Sequence, residues 1–575
     1  MFQICLTLII FVAIAIPVGR YLYKVTDKKH TFADPVFNRM DNAIYKVCGI
    51  NQEKEMNWKQ YILSLIATNA VMIGVGYLIL RLQFLPIFNP NGISAMPADL
   101  SFNTIISFMT NTNLQHYAGE SGLSYFSQMA VITFLMFTSA ASGYAVCMAF
   151  IRGIVGKKSM GNFFVDLTRV ITRVLLPFSL IVSILLIWQG VPQTLSANQT
   201  IQTIEGSYQD IAMGPVASLE SIKHLGTNGG GFFGANSATP FENPTILSNL
   251  LELLSMMILP AACVIAFGLM VHYRKKEQNI QKEVKKTRVF FGSEGRTIFI
   301  AMSILFIIGL VICYFSESAG NPALAQAGLS QSMGSMEGKE VRFGVAQSSL
   351  FTTVTTSFTT GTVNNMHDTL TPMGGFVPLL NMMLNVVFGG KGVGFMNMAL
   401  YAILTVFICG LLVGRTPEYL GKKIEGKEMK LTALGIIIHP LLILAASAIA
   451  VATSAGIAGI TNPGYHGLTQ VLYEFASSAA NNGSGFEGLA DNTFFWNIST
   501  GLVMFFGRYL PMILQLAIAG SLMKKRPVNE SVGTLKTSSM TFTITLVMIV
   551  LIFAALTFFP VLSLGPVAEH LTLWS

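Results

Sequence analysis

The sequence predicts an all-α polytopic membrane protein with ten transmembrane helices, arranged as four pseudo-repeats of helix, pore loop and helix plus one extra helix at each end. Of its 575 residues, 52% are hydrophobic and only 11% are charged. The mean hydropathy is +0.59, and these values lie well outside the range of soluble globular proteins. Ten apolar runs and four recurring polar segments between them complete the prediction.

Each predicted transmembrane helix is an apolar run of roughly 20 residues, the length that crosses a bilayer. The runs lie near residues 1–23, 61–82, 125–151, 174–189, 247–272, 298–315, 377–413, 431–454, 494–522 and 540–559. The first run has no basic segment before it and no small-residue cleavage site, so we expect a retained helix and not a signal peptide. Its cations, beginning with Arg20, follow the run and favour an N-terminus outside the cell.

The distribution of cations supports this orientation. With the N-terminus outside, the inner loops are 24–59, 152–173, 274–296, 415–430 and 524–536. They hold 29 of the 36 Lys and Arg residues, as the positive-inside rule requires. An even number of spans places the C-terminus outside as well. The net charge of +8 therefore faces anionic lipid, and a nucleic-acid partner is not expected.

Two cations are predicted to lie at membrane depth. As one helix, run 377–413 would reach about 55 Å, nearly twice the hydrocarbon thickness, so we predict a single span broken at "GGKGVG" (389–394). This places Gly389, Gly390 and Lys391 inside the membrane, where Lys391 is either functional or reaches the interface by snorkelling. Arg508 in the ninth span either pairs with a carbonyl or acid and helps to close the lower pore, or reaches an internal water pocket.

Four outer segments look alike: 101–120, 218–236, 348–368 and 467–488. Each passes from a short, half-apolar run into a stretch rich in Thr, Asn, Gly and Ser. Equating Asn113, Gly230, Gly361 and Gly483 gives intervals of 117, 131 and 122 residues, each with two spans. The predicted units are an N-terminal helix and inner loop (1–60), pore repeats 1 to 4 (61–151, 152–273, 274–414 and 415–523) and a C-terminal helix (524–575).

The physical interpretation of each segment is a re-entrant pore loop. Non-helical backbone is tolerated at membrane depth only beside water or protein, and a ring of carbonyl oxygens can replace the hydration shell of a cation. The short half-helix before each loop points its negative end at the ion. Acids follow every loop and are candidates for an electronegative vestibule, or else for helix caps: Glu120, Glu242, Asp368, Glu487 and Asp491.

Other chemistry is not expected. The six cysteines are scattered without metal-ligand spacing, and no inner loop exceeds about 40 residues, too few for a soluble catalytic domain. "FGGKGVG" is not a P-loop, because Gly392 follows Lys391 where Ser or Thr is required. An Asp-Lys-Thr-Gly phosphorylation sequence is also missing. The chain is therefore predicted to be non-catalytic, with no nucleotide site.

Several stretches resemble a known family, the potassium-binding A subunit of the bacterial Kdp-type potassium-transporting ATPase. They are "GTNGGGFFGANSATPFENPT" (226–245), "TNTNLQHYAGESGLSYFSQMA" (110–130), "NNMHDTLTPMGG" (364–375), "RTPEYLGKKIEGKEMKLTAL" (415–434) and "GRYLPMILQLAIAGSL" (507–522). The resemblance implies four repeats around one selectivity filter, K⁺ as the transported ion, and a multi-pass protein of the bacterial cell membrane. It also implies three partners: a P-type ATPase subunit that hydrolyses ATP and two small membrane subunits.

The resemblance also implies which residues form the filter. They are Thr112, Asn113 and Gln115; Thr227, Asn228, Gly229, Gly230 and Gly231; Thr359, Thr360, Gly361 and Thr362; and Asn481, Asn482, Gly483 and Ser484. Selected K⁺ would pass through an intramembrane tunnel to the ATPase subunit, and the broken helix at 389–394 would block direct passage to the cytoplasm. A free-standing K⁺ channel or cation symporter of the Trk/Ktr type is the alternative, because it shares the fourfold loop pattern.

Overall fold

The structure, a computed structural model, describes residues 2–32, 34–277, 289–528 and 535–574. Parts of the basic segment 273–288 and of the inner loop 524–536 lie outside these residues. Within them, ten helices are long and apolar enough to cross a membrane, which confirms the predicted number. They are Phe2–Thr26, Trp58–Arg81, Tyr125–Val155, Phe163–Gln189, Ile246–Lys276, Ser293–Gln326, Val393–Val413, Gly426–Ala452, Phe494–Met523 and Met540–Leu573.

A short helix lies between the two spans of each predicted pore repeat. These four pore helices are pore helix 1 (Ala98–Met109), pore helix 2 (Val216–Leu225), pore helix 3 (Gly344–Ser357) and pore helix 4 (Tyr465–Ala480). They contain or extend the four half-helices that the sequence predicts. The described residues therefore show the pattern of span, half-helix, loop and span four times, with one further span before the first repeat and one after the last.

The remaining elements are short and lie in the connections. The further helices are Asp34–Cys48, Gly119–Gly122, Asn236–Ala238 and Ser454–Ile457, and the sixth span ends in a separate short helix, Pro322–Gln326. Turns of π-helix interrupt three spans at Gln128–Thr133, Ile171–Leu175 and Ser563–Val567. Two antiparallel hairpins pair Gln199–Gln202 with Tyr208–Ile211 and Glu418–Tyr419 with Lys422–Lys423. The first hairpin is largely exposed, whereas Tyr419 of the second hairpin is buried in the core.

Several spans are longer than their apolar runs because they also contain charged residues, which form ion pairs in the folded protein. The fourth span starts at Phe163, eleven residues before the predicted run, and includes Arg173. The guanidinium of Arg173 is 2.7 Å from a carboxylate oxygen of Asp41, and Arg152 of the third span is 2.7 Å from Asp166. Pairing removes most of the cost of burying a charge, so helix continues where hydropathy alone predicts a loop.

The predicted break in run 377–413 is present. A helix over Pro372–Leu384 ends where Asn385 adopts a left-handed conformation (φ 47°), and the next helix begins at Val393. The break therefore covers residues 385–392 and starts four residues before the predicted position. Gly389, Gly390 and Gly392 also have positive φ, a conformation that costs little only for glycine, so the glycine-rich sequence allows the chain to leave the helix here.

The third and fifth spans form the centre of the molecule: in each, 89% of the most apolar 18-residue stretch is buried. The second and eighth spans lie at the periphery of the helix bundle, where 22% of the corresponding stretch is buried. Pore helices 3 and 4 are almost wholly buried as well, although they are rich in Ser and Thr. This arrangement surrounds the four pore loops with protein, as irregular backbone at membrane depth requires.

Candidate selectivity filter

Four equivalent backbone segments follow the pore helices. These filter segments are residues 111–114, 227–230, 359–362 and 481–484, and the first residue of each has a left-handed backbone: Asn111 (φ 63°), Thr227 (φ 41°), Thr359 (φ 50°) and Asn481 (φ 54°). The N–H of the second residue always donates to the carbonyl five residues earlier, over 3.0, 2.8, 2.8 and 2.9 Å: Thr112 to Ser107, Asn228 to Lys223, Thr360 to Thr355 and Asn482 to Ser477. The four loops therefore leave their helices in the same way.

Counted from the helix end, the third positions are Asn113, Gly229, Gly361 and Gly483. The left-handed φ of Asn113 (61°), Gly361 (90°) and Gly483 (103°) instead recurs at Gly230 (70°), the residue that the sequence aligned with them, so segment 2 departs from the other three after its second residue. Three consecutive glycines look identical in sequence, and only the helix end distinguishes them. The left-handed backbone of Asn111 also makes it the first residue of segment 1, although the sequence did not point to Asn111 as a filter residue. Gln115 and Gly231 follow their segments and do not belong to them.

The glycines allow the segments to approach one another closely. A methyl group on Gly361 would overlap the carbonyl of Asn482, and one on Gly483 would overlap the carbonyl of Thr112. On Gly229 it would lie 2.6 Å from the oxygen of Thr112 and 2.9 Å from that of Asn482. Carbonyl oxygens and glycine α-carbons of neighbouring segments are thus in direct contact, and side chains there would force the oxygens apart.

Asparagine side chains tie the loops together. The amide of Asn111 donates to the Thr227 carbonyl over 2.8 Å, and that of Asn481 donates to the Thr112 hydroxyl over 2.9 Å. Asn482 donates to the carbonyl of Thr355 over 3.0 Å. Segments 1 and 2 and segments 4 and 1 are linked in this way, and segment 4 is linked to pore helix 3. In these three residues the amide replaces the small residues expected in a filter because it bridges neighbouring elements.

Hydroxyl groups support the filter from behind in three repeats. Ser107 donates to the Leu114 carbonyl over 2.8 Å, Thr355 donates to that of Thr362 over 2.6 Å, and the Ser477 hydroxyl accepts the N–H of Gly483 over 3.0 Å. In repeat 2 the equivalent residue is Lys223, which is fully buried. Since a lysine cannot accept a hydrogen bond, repeat 2 needs a different support.

That support is an ion-pair cluster, and it accounts for Glu242. The Nζ of Lys223 is 2.5 Å from Glu220 and 2.7 Å from Glu242, and the other carboxylate oxygen of Glu242 accepts the N–H of Phe233 over 2.7 Å. Glu242 is fully buried. It therefore does not face the vestibule that the sequence predicts, because its charge is used to hold the second loop in place.

A cavity of about 270 Å³ lies next to the filter and is lined by all four loops. Of the five predicted vestibule acids, Glu487 and Asp491 line it. Glu120 accepts the N–H of Gly234 over 2.9 Å, and Asp368 is 3.1 Å from the imidazole of His466, so these two acids hold loops together. The structure thus narrows the vestibule prediction to two acids on one side of the cavity.

The surrounding protein sets the ionisation of these acids. Desolvation raises the pKa of Glu487 to about 8, although the residue is exposed at the cavity and its carboxylate accepts the backbone N–H groups of His367 and Asp368 over 3.0 and 3.2 Å. Burial also raises the pKa of Asp491 to about 7, with the imidazole of His116 acting in the opposite direction. Both acids therefore change charge near neutral pH, where a K⁺-collecting surface would need them ionised.

Gln115 and Gly231 form a cross-loop pair at the edge of the filter. The Gln115 side chain accepts the N–H of Gly231 over 2.8 Å and donates to its carbonyl over 3.1 Å. An amide paired in this way with a peptide unit has little capacity left for an ion. The structure therefore gives Gln115 the role of holding loop 2 against loop 1, although the sequence analysis places it among the filter ligands.

The broken helix lies against the first residues of filter segments 2 and 3. The N–H groups of Gly389 and Gly390 donate to the carbonyls of Ser357 and Phe358 over 3.0 and 2.7 Å, at the end of pore helix 3. Lys391 is 4% exposed, and its Nζ donates to the Thr227 hydroxyl over 3.3 Å. Lys391 does not snorkel to the interface, since its amino group lies directly against the first residue of filter segment 2.

Arg508 is also buried, but with the acids that the structure describes it does not form the ion pair that one of the two predictions allowed. Among the described residues, no carboxylate lies within ion-pairing distance of it. It lines a cavity of about 50 Å³ together with Asn481 and Gln515, so the predicted alternative, an internal polar pocket, fits better.

Comparisons with known proteins agree with this geometry. The family model described as KdpA, potassium-transporting ATPase A subunit, matches residues 5–571. The potassium-transporting ATPase potassium-binding subunit of Clostridium acetobutylicum is 60% identical over 99% of both chains. The subunit of the same description from Geobacillus kaustophilus is 53% identical, again over 99% of both chains.

A solved structure is similar at the level of fold. The potassium transporter TrkH from Vibrio parahaemolyticus superposes with a TM-score of 0.52 and 14% identity, covering 89% of this chain and 98% of that chain. This similarity shows a shared pore-loop fold and nothing further about function. Taken with the four equivalent filter segments, the full-length matches show that the chain belongs to the KdpA family of potassium-transporting ATPase A subunits.

Proposed function

We propose that this chain binds K⁺ from outside the cell, selects it in the four-segment filter, and delivers it within the membrane to a P-type ATPase subunit. ATP hydrolysis resides in that partner subunit of the Kdp complex. The chain itself contributes binding and selection, and it holds no nucleotide site. Two small membrane subunits complete the proposed complex in the bacterial cell membrane.

The observation that carries the proposal is the fourfold equivalence of the filter segments. A dehydrated K⁺ needs several oxygen ligands at once, and backbone carbonyls held by close-packed segments can supply them. The contacts of Gly229, Gly361 and Gly483 with neighbouring carbonyls leave no room for side chains. We propose as ligands the carbonyls of the second and third positions, namely Thr112, Asn113, Asn228, Gly229, Thr360, Gly361, Asn482 and Gly483.

The broken helix supports delivery to a partner over direct passage. The 385–392 break closes the inner side of the filter through hydrogen bonds from Gly389 and Gly390. The buried ammonium group of Lys391 adds electrostatic repulsion to the barrier, because a cation leaving the filter would approach a like charge in a poorly solvated region. We therefore propose that Gly389, Gly390 and Lys391 act as a gate below the filter, with Arg508 adding positive charge to the same region.

The topology belongs to the proposal as well. With both termini outside, the inner loops carry most of the cations, and the vestibule residues Glu487 and Asp491 face the outer solution. The division into an N-terminal unit, four pore repeats and a C-terminal unit places one pore helix in each repeat. The full-length family match favours the pump subunit over the free-standing transporter, whose similarity extends to the fold alone.

The proposal is tested by purifying the chain alone and together with its partner subunits. The complex should show K⁺-stimulated ATP hydrolysis and Rb⁺ uptake into vesicles, while the chain alone forms no phosphoenzyme. Phosphoenzyme formation by the chain alone would overturn the assignment. K⁺ binding and Rb⁺ flux by the chain alone, at the rate of the complex and without ATP, would instead support the free-standing alternative.

A further inference from the structure

Three ionisable side chains converge beside the outer cavity, and the proposed ion path does not use them as a group. His116 follows filter segment 1, Glu474 lies on pore helix 4, and Asp491 lies in the loop after filter segment 4. One ligand atom from each lies within 4.8 Å of the other two. The Nε2 atom of His116 is 3.1 Å from Glu474 Oε1 and 3.8 Å from Asp491 Oδ2.

The hydrogen bonds of the ring fix which nitrogen faces the carboxylates. Nδ1 of His116 lies 2.7 Å from the side-chain oxygen of Asn497. The Asn497 amide nitrogen donates to Asp99 over 2.8 Å, so its oxygen is the acceptor and Nδ1–H of His116 is the donor. Although burial lowers the pKa of His116, Nε2 faces both acids, which raise the pKa to about 9. In the metal-free protein Nε2–H therefore donates to Glu474 over 3.1 Å, and a bound metal ion would replace that proton. A histidine that binds a metal through one nitrogen usually has its other N–H held as Nδ1–H is held here.

Glu474 provides an independent indication of a missing partner. The side chain is 1% exposed, and its Oε2 atom accepts no hydrogen bond from the described residues. Leaving a buried carboxylate oxygen without a partner costs free energy. An ion bound between Glu474 and His116 would supply that partner.

The charge and geometry fit a divalent transition metal. Two carboxylates with a neutral imidazole carry a charge of −2, which one divalent ion balances. A tetrahedral Zn²⁺ with bonds of about 2.0–2.2 Å holds its ligand atoms about 3.4 Å apart. The two separations from His116 already lie on either side of this value. One nitrogen and two carboxylate oxygens form a donor set that Zn²⁺ accepts, with water as the fourth ligand.

We propose that His116, Glu474 and Asp491 bind a divalent transition-metal ion such as Zn²⁺ from the outer solution, and that the bound ion slows K⁺ capture. Access is available because His116 and Asp491 both line the cavity of about 270 Å³ beside the filter. The ion would join repeat 1 to repeat 4 at the filter mouth. The effect on transport, though not the metal binding itself, rests on the function proposed above.

The expected effect on transport follows from electrostatics. A bound divalent ion neutralises the two carboxylates that would otherwise attract cations to the filter. Charge at the mouth of a narrow site changes association rates by about tenfold or more. We therefore expect saturating external Zn²⁺ to lower the rate of Rb⁺ uptake at low K⁺ by about tenfold, with a smaller effect at high ionic strength.

The test uses the purified complex, freed of metal with a chelator and then titrated with ZnCl₂. Calorimetry and elemental analysis should give one additional Zn²⁺ per chain, and X-ray absorption should show a nitrogen and oxygen ligands at about 2.0–2.2 Å. His116→Gln and Asp491→Asn should each lose this ion. Asp491 is the more exposed of these two side chains, so its variant serves if His116→Gln fails to fold.

His466→Gln is the matched control. His466 also contacts two carboxylates, Asp368 at 3.1 Å and Glu569 at 2.9 Å, but through opposite ring nitrogens, so the three groups cannot chelate one ion. This variant should keep the Zn²⁺. Zn²⁺ binding that survives both His116→Gln and Asp491→Asn would overturn the proposal, and so would the absence of binding in a complex with normal K⁺-stimulated ATP hydrolysis. Metal-free complex that fails to respond to K⁺ would contradict the proposed function instead.

Discussion

Replacing Gly229 by alanine should weaken K⁺ binding without unfolding the protein. The backbone of Gly229 is not left-handed, so alanine adds no conformational strain there. Its methyl group would lie 2.6 Å from the carbonyl oxygen of Thr112 and 2.9 Å from that of Asn482. A carbon and a carbonyl oxygen normally stay about 3.3 Å apart or more. The two oxygens must therefore move by about 0.7 and 0.4 Å.

The magnitude follows from the electrostatics of two displaced carbonyls. We take about half an elementary charge on each oxygen, a starting distance of about 2.8 Å from the ion, and an effective dielectric constant of about 20. The displacements then weaken the attraction by about 0.6 and 0.4 kcal/mol. The sum of about 1 kcal/mol corresponds to a loss of about fivefold in K⁺ affinity.

The assay is K⁺-stimulated ATP hydrolysis by the purified complex, which reports the apparent KM for K⁺. Gly485→Ala is the matched control, because Gly485 lies just beyond filter segment 4 and an added methyl group would meet no atom within 4 Å. An unchanged KM in Gly229→Ala, with the control also unchanged, would refute the assignment of these carbonyls to the ion site. An equal loss in both variants would show that crowding is not the cause.

Three further changes test other parts of the pore. Gly230→Asp should abolish or loosen discrimination between K⁺ and Na⁺, because the new side chain would crowd Gln115 and add a charge. Gly92→Asp is the control, since Gly92 has a similar φ of 65° and an added side chain would meet no atom within 4 Å. Equal discrimination in both variants would contradict the filter assignment. Uptake at low K⁺ should rise as the pH increases through about 8, where Glu487 ionises, and Glu487→Gln should remove that rise; a pH profile that the substitution leaves unchanged would exclude Glu487 as its source. Lys391→Met should permit downhill Rb⁺ leak through the complex without ATP, measured in vesicles, since it removes the buried charge below the filter; vesicles as tight as those with the unsubstituted complex would argue against a gate at this position.

Local properties of the sequence were sufficient for the framework of the protein. Hydropathy is a sum over neighbouring residues, so the ten spans can be located without knowing how they pack, and the distribution of cations gives a predicted orientation in the same way. The polar segments between spans are also local, which is why all four pore helices were predicted near their observed positions. The glycines of 389–394 likewise predicted a broken helix, because their conformational freedom does not depend on distant contacts.

Tertiary structure alone decided which atoms meet. Three consecutive glycines at 229–231 cannot be aligned from sequence, and the end of pore helix 2 places Gly229 in register with Gly361 and Gly483. Glu242 was expected at the vestibule, but packing brings it against Lys223 inside the protein. His116 and Glu474 are 358 positions apart, so no spacing rule could join them as possible metal ligands. The first two outcomes depend on how loop 2 folds back on pore helix 2, and the third on contacts between repeats 1 and 4, so all three exist only once the helices have packed.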